Sequence, residues 1–172
     1  MAYKRSSSLL NIGASVTETA TDTFTELQVN LPLNTLDREI FIVTDILIYT
    51  SNPDMNEGGN SALSAYCSKI SLANRGLNST DPSDSYFLGA KQWYVYDGGA
   101  GSTIATEALP SDQYTTGTER DHLAVIATPD FFISIRGSAQ SNPKEVAVRL
   151  TGYRAVADAD TYAALVTEEL NN

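Results

Sequence analysis

Residues 39–50, EIFIVTDILIYT, restrict the possible folds more than any other stretch of the chain. Both alternation sets are apolar: Ile40, Ile42, Ile46 and Ile48 share one parity, and Phe41, Val43, Leu47 and Tyr49 the other. A strand with one face in water shows a polar set, so this segment is expected to carry protein against both faces. A buried helix is the competing reading. Enrichment in β-branched and aromatic residues, followed by the turn formers SNPD, favours the strand. The segment reads as the central strand of a β-sandwich.

Two-residue alternation recurs along the chain. Residues 23–31 place Thr23, Thr25, Leu27, Val29 and Leu31 on one face, with Glu26, Gln28 and Asn30 opposite. Further strands read at 63–73, at 86–97 with Gly89 as a bulge candidate, briefly at 103–109, and at 121–128, 131–137 and 145–156. Polar runs rich in Gly, Pro, Asn and Ser separate them, the longest and least patterned following residue 97. The pattern predicts an all-β chain, an antiparallel β-sandwich or single jelly roll of about eight strands with a short C-terminal helix. Residues 1–13 form an arm or added edge segment, 14–157 the sandwich, and 158–172 the helix or tail. In the tail, Asp158 is the N-cap, Asp160 suits the positive helix end, and Tyr162, Leu165, Val166 and Leu170 make an apolar stripe. Glu168 and Glu169 fall at the unfavourable negative end, so the helix must dock on its own sandwich or on a neighbouring subunit. Removing residues 158–172 is expected to leave the sandwich folded but to impair association.

The 172 residues suffice for one domain with a core that needs no staples. With 21 acidic and 11 basic side chains the net charge is −10, which opposes a nucleic-acid groove and binding to anionic membranes. Lys4 and Arg5 are a short basic exception near the start. Cys67 is the only cysteine, so an intrachain disulfide or thiolate metal cluster is not expected, and it reads as a small buried thiol. Neither an apolar leader nor a membrane-length apolar run is present, so folding in the cytoplasm without a signal peptide, and no membrane insertion, are expected. Asn78-Ser79-Thr80 fits a glycosylation sequon but reads as loop composition.

The candidate chemical sites are weak as sequence patterns. His122 is the sole histidine and would have to be the base of any Ser-His-Asp or Cys-His device, yet Asp121 beside it points to the opposite strand face and no GxSxG elbow exists. Asp45 interrupts the central apolar run and must be partnered or lie where the strand emerges. Residues 54–60 start like a calcium loop at Asp54, but Gly58 stands at a ligand position and the EF-hand pattern fails; Asp81 and Asp84 add nothing by spacing. Gly98, Gly99 and Gly101 follow a strand without opening a helix, which argues against a phosphate cradle. Trp93, Tyr94 and Tyr96, with Tyr86, form an aromatic strand that suits core packing, a protein interface or sugar stacking. Adjacent aromatics face opposite ways, so Trp93 or Tyr94 must point away from the core. The expected contact residues are therefore Trp93, Tyr94, Tyr96, Tyr162, Leu165 and Val166, with no catalytic residue, cofactor, metal or small-molecule substrate.

The short basic start MAYKRSSS, the strand register through residues 24–156 and the ending AVRLTGYRAVADADTYAALVTEEL resemble the single jelly-roll capsid proteins of icosahedral viruses. That resemblance implies a non-enzymatic virion subunit that self-assembles as pentamers or trimers, together with other capsid proteins. The arm is less basic than those that hold packaged genomes, so no specific nucleic-acid contact is expected. The alternatives are a carbohydrate-binding β-sandwich module or a phage decoration or receptor-binding protein. An enzyme of cupin type would need a cluster of histidines that one His122 does not supply.

Overall fold

The computed structural model describes residues 3–54, 64–72, 86–97, 103–109, 113–115 and 121–170. Among them the order is β1 (Tyr3–Arg5), β2 (Leu10–Thr17), β3 (Thr25–Asn30), a 3-10 turn (Thr35–Asp37), β4 (Glu39–Thr50), β5 (Ser64–Ser71), β6 (Phe87–Asp97), β7 (Thr103–Leu109), β8 (Gln113–Thr115), β9 (Ala124–Ile126), β10 (Asp130–Ser138), β11 (Glu145–Ala157) and α1 (Ala159–Leu170). One sheet runs β1-β11-β4-β8, with β2 also on β11 and β9 also on β4; the other runs β3-β10-β5-β6-β7. Every pairing is antiparallel. β11 lies beside β1, β2 and β4, and β10 lies between β3 and β5, so strands distant in sequence lie side by side. The chain crosses repeatedly between the sheets, while β5, β6 and β7 follow one another in the second; this is the jelly-roll arrangement of an antiparallel sandwich. β4 is central, as its composition predicts.

β1 and β2 both belong to the first sheet. β1 pairs with Ala157 to Ala155, and β2 pairs with Gly152 to Glu145, so the two lie end to end along one edge of β11. The division expected between 13 and 14 therefore falls inside β2. In β2, Leu10, Ile12, Ala14 and Val16 pack on the core, alternating with Asn11, Ser15 and Thr17.

β4 departs from the expected parity. Asp45 faces Thr151 while Val43 faces Gly152, so Thr44 has no counterpart on β11 and forms a bulge. Its hydroxyl donates to the Thr151 carbonyl at 3.1 Å. One extra residue exchanges the two faces. Phe41 and Val43 before the bulge, and Ile46 and Ile48 after it, all enter the inner core. Ile40 and Ile42 face outward into a second cluster with Ala127, Ala155 and Ala157. Leu47 and Tyr49 turn outward beyond the bulge, where Tyr49 is 71 % exposed. Protein thus covers both faces of β4 only over residues 39–43, which corrects the reading of a strand enclosed throughout. The expected irregularity at Gly89 is present: Ile70 faces Gly89 while Ser71 faces Phe87.

α1 is what encloses that first half. Asp158 accepts the Thr161 backbone N–H at 2.8 Å, as an N-cap does, and this bond holds its carboxyl below the usual carboxylate range. Tyr162, Leu165 and Val166 pack over Ile40, Ile42 and Ala155. At the other end, the Tyr86 hydroxyl donates to the carbonyls of Glu168 and Glu169 at 3.0 and 3.2 Å. The Glu169 carboxylate accepts from the backbone N–H groups of Ala127 and Thr128, each at 2.8 Å. These bonds offset the repulsion between that carboxylate and the negative helix end. The docking partner of the helix is its own sandwich.

Candidate functional site

On β6 the side chains of Trp93 and Tyr94 separate, as alternation requires. Trp93 reaches inward, its indole N–H donating to the Thr50 hydroxyl at 3.2 Å, and the buried Lys91 ammonium stands 5.6 Å from its ring centre. Tyr94 turns to the outer face of the sheet, where its hydroxyl accepts from the Gln92 amide at 2.7 Å. The Tyr96 side chain lies outside the described set. Tyr86 leaves the group: it is 2 % exposed and holds α1. Trp93 and Tyr94 therefore share no face, and Tyr86 is not part of a stacking platform.

His122 lines a cavity of about 220 Å³ with Leu72, Tyr86, Val125, Leu165, Glu168 and Glu169. The histidine does meet acidic residues, which sequence proximity to Asp121 would not indicate. The Glu169 oxygens, however, are taken by backbone N–H groups, and the Glu168 side chain is exposed. Buried His122 Nδ1 has no hydrogen-bond partner, and among the described residues the lining contains neither a serine nor a cysteine. Among the described residues the cavity therefore does not gather the nucleophile, base and orienting carboxylate that acyl transfer needs.

At the opposite end of the sandwich, Asp54 is committed to structure. One oxygen meets the Lys144 ammonium at 2.6 Å, and the other accepts from the backbone N–H groups of Ser141 and Asn142 at 2.8 and 2.9 Å. Partial burial disfavours the ionised carboxyl, but the Lys144 bond and these two N–H donors outweigh it and hold its pKa below the usual value. Buried Glu18 accepts from the N–H groups of Gly137 and Lys144 at 2.6 and 2.8 Å, and Asp22 accepts from that of Gln140 at 3.0 Å. Three carboxylates distant in sequence thus fasten the turn between β10 and β11. The first residue of the calcium-like segment is a turn clamp, and residues 55–60 lie outside the described set. Among the described residues no group of three or more His, Cys, Asp or Glu has a metal-holding arrangement.

Asp45 is half-buried beside the bulge, opposite Thr151 on β11 and Thr115 on β8. Cys67 lies in β5 opposite Arg136 and Gln92. Gly98, Gly99 and Gly101, Asn78, Asp81 and Asp84 are outside the described residues. The open outer half of β4, where exposed Tyr49 and Leu47 adjoin Arg149, escaped the sequence reading. The polar pair Thr44-Asp45 was its one available signal, since it marks the point where the faces exchange.

No protein-family model matches the chain, and no curated protein matches its sequence. Among solved structures, Merkel cell polyomavirus VP1 as an unassembled pentamer matches at a TM-score of 0.53 with 8 % identity, over 88 % of this chain and 97 % of that one. VP1 of trichodysplasia spinulosa-associated polyomavirus, in complex with GM1 oligosaccharide, matches at 0.50 with 7 % identity, over 90 % and 97 %. The chain has the fold of polyomavirus VP1. The jelly-roll likeness read from the strand pattern is thereby borne out at the level of architecture.

Proposed function

We propose that the protein is a non-enzymatic structural subunit of a virus shell, located in the virion, that associates with copies of itself in rings of five or three and with other shell proteins. The observation that carries this reading is the VP1 likeness: it extends over 88 % of this chain and 97 % of a protein solved as a pentamer. The chemistry of the surface is in keeping with it. Among the described residues the His122 cavity has no serine or cysteine in its lining, and a net charge of −10 disfavours direct contact with a packaged genome. No helix among the described residues is long and apolar enough to cross a membrane. Tyr94, on the outer face of its sheet, serves best as a contact residue, while Trp93 points inward and supports the strand behind it. Tyr162, Leu165 and Val166 contribute by holding α1 in place.

Sedimentation velocity and light scattering of the purified full chain test this. Species several-fold heavier than 18.5 kDa are expected, and a strict monomer at high concentration would end the shell reading. The runner-up, carbohydrate binding, is favoured by the aromatic content of β6. A glycan array decides it: binding that disappears in Tyr94→Ala or Trp93→Ala would support it, and absence of binding would dismiss it.

A further inference from the structure

The outer face of the first sheet has two levels. α1 covers one half, over Ile40, Ile42 and Ala155, while the half beyond the Thr44 bulge is open. There Leu47, Tyr49, Ala147 and Arg149 border a shallow hollow of about 130 Å³. Tyr49 is 71 % exposed, and Arg149, also exposed, has neither an ion pair nor a hydrogen bond among the described residues. The pair is suited to a desolvated contact with an acidic partner.

The matching chemistry is on the same protein. α1, ADTYAALVTEEL, contains no basic residue. Its solvent side exposes Asp160 and Glu168, whose carboxylates have no bonded partner among the described residues. Size agrees as well. Residues 44–50, at about 3.3 Å each, extend about 20 Å, room for one helix about 10–12 Å across. A two-fold axis in the plane of the face brings the raised half of each copy over the open half of the other, so both contacts form together.

We propose that the open half of this face receives α1 of a second copy, with Arg149 against the partner's acidic helix and Tyr49 beneath it. The inference rests on the self-association reading and adds to it a two-fold contact between copies, distinct from the contact that closes a ring of five or three. The test is sedimentation equilibrium of the full chain against Arg149→Glu, Arg149→Gln, Asp160→Lys/Glu168→Lys, and Arg149→Glu combined with Asp160→Lys/Glu168→Lys. Circular dichroism is the control for folding, since all three side chains are exposed and unpaired. Weakening of association by at least tenfold in Arg149→Glu and in the helix variant, less in Arg149→Gln, and recovery in the combination are expected. Association that persists in all variants, or fails to recover in the combination, overturns this surface and leaves the shell reading standing. A wild-type chain that never associates overturns both.

Discussion

A β-carbon placed on Gly152 would lie 2.2 Å from the Ile42 carbonyl oxygen and 2.7 Å from Phe41 Cε1. The bulge at Thr44 brings β4 this close to β11, so glycine at 152 is required by contact with both backbone and ring. Gly152→Ala should destabilise the protein by about 1–3 kcal/mol or more, because neither the carbonyl nor the enclosed ring can move aside freely. A denaturant midpoint equal to wild type would show that the two strands are not so closely apposed.

Tyr86→Phe removes the donor that satisfies the carbonyls of Glu168 and Glu169 in the last turn of α1. Leaving buried acceptors unpaired costs about 1–3 kcal/mol. The loss should appear as faster hydrogen exchange in α1, with β10 and β11 protected as before. Uniform loss of protection throughout would instead make the helix part of the global folding unit.

Removal of residues 158–172 now carries a different expectation from the one the sequence suggests. It uncovers Ile40 and Ile42, both fully buried, each losing about 1.5–3 kcal/mol of burial. The truncated chain should melt earlier and bind a hydrophobic dye. An unchanged melting temperature would mean that α1 is dispensable to the sandwich.

Acid should loosen the turn between β10 and β11. The Asp54 carboxyl has its folded-state pKa below its ordinary value of 3.8, because the bonds from Lys144, Asn142 and Ser141 outweigh the effect of burial. A depressed carboxyl pKa contributes stability that is present above the unfolded value and lost as pH falls through the folded one. In Asp54→Asn the fall in stability below about pH 4 should be shallower than in wild type. Identical acid limbs would mean that Asp54 does not govern this turn.

A chain-local pattern marked the strands well, because alternation needs only the side chains of one segment. It placed β4, β10 and β11 close to their observed positions and identified Asp158 as an N-cap, since that cap bonds only three residues onward, at Thr161. It misjudged the course of Ile46 and Ile48, because one unpaired residue at 44 reverses the faces and a periodic reading continues straight across it. In sequence Tyr86 groups with the β6 aromatics, open to core packing, interface or sugar stacking, because its actual partners, Glu168 and Glu169, are more than eighty residues away. Asp54 resembled a metal ligand for the same reason, its lysine being Lys144.

Local order of polar and apolar residues was thus enough to determine that this protein is built from stacked antiparallel sheets with a helix at its end. Which strands lie side by side, where α1 docks and which half of β4 stays open were decided only in three dimensions. The pairs that decide them, such as Thr44 with Thr151 and Glu169 with Ala127, are separated by tens of residues and obey no period. Their geometry exists only once the sheets have formed.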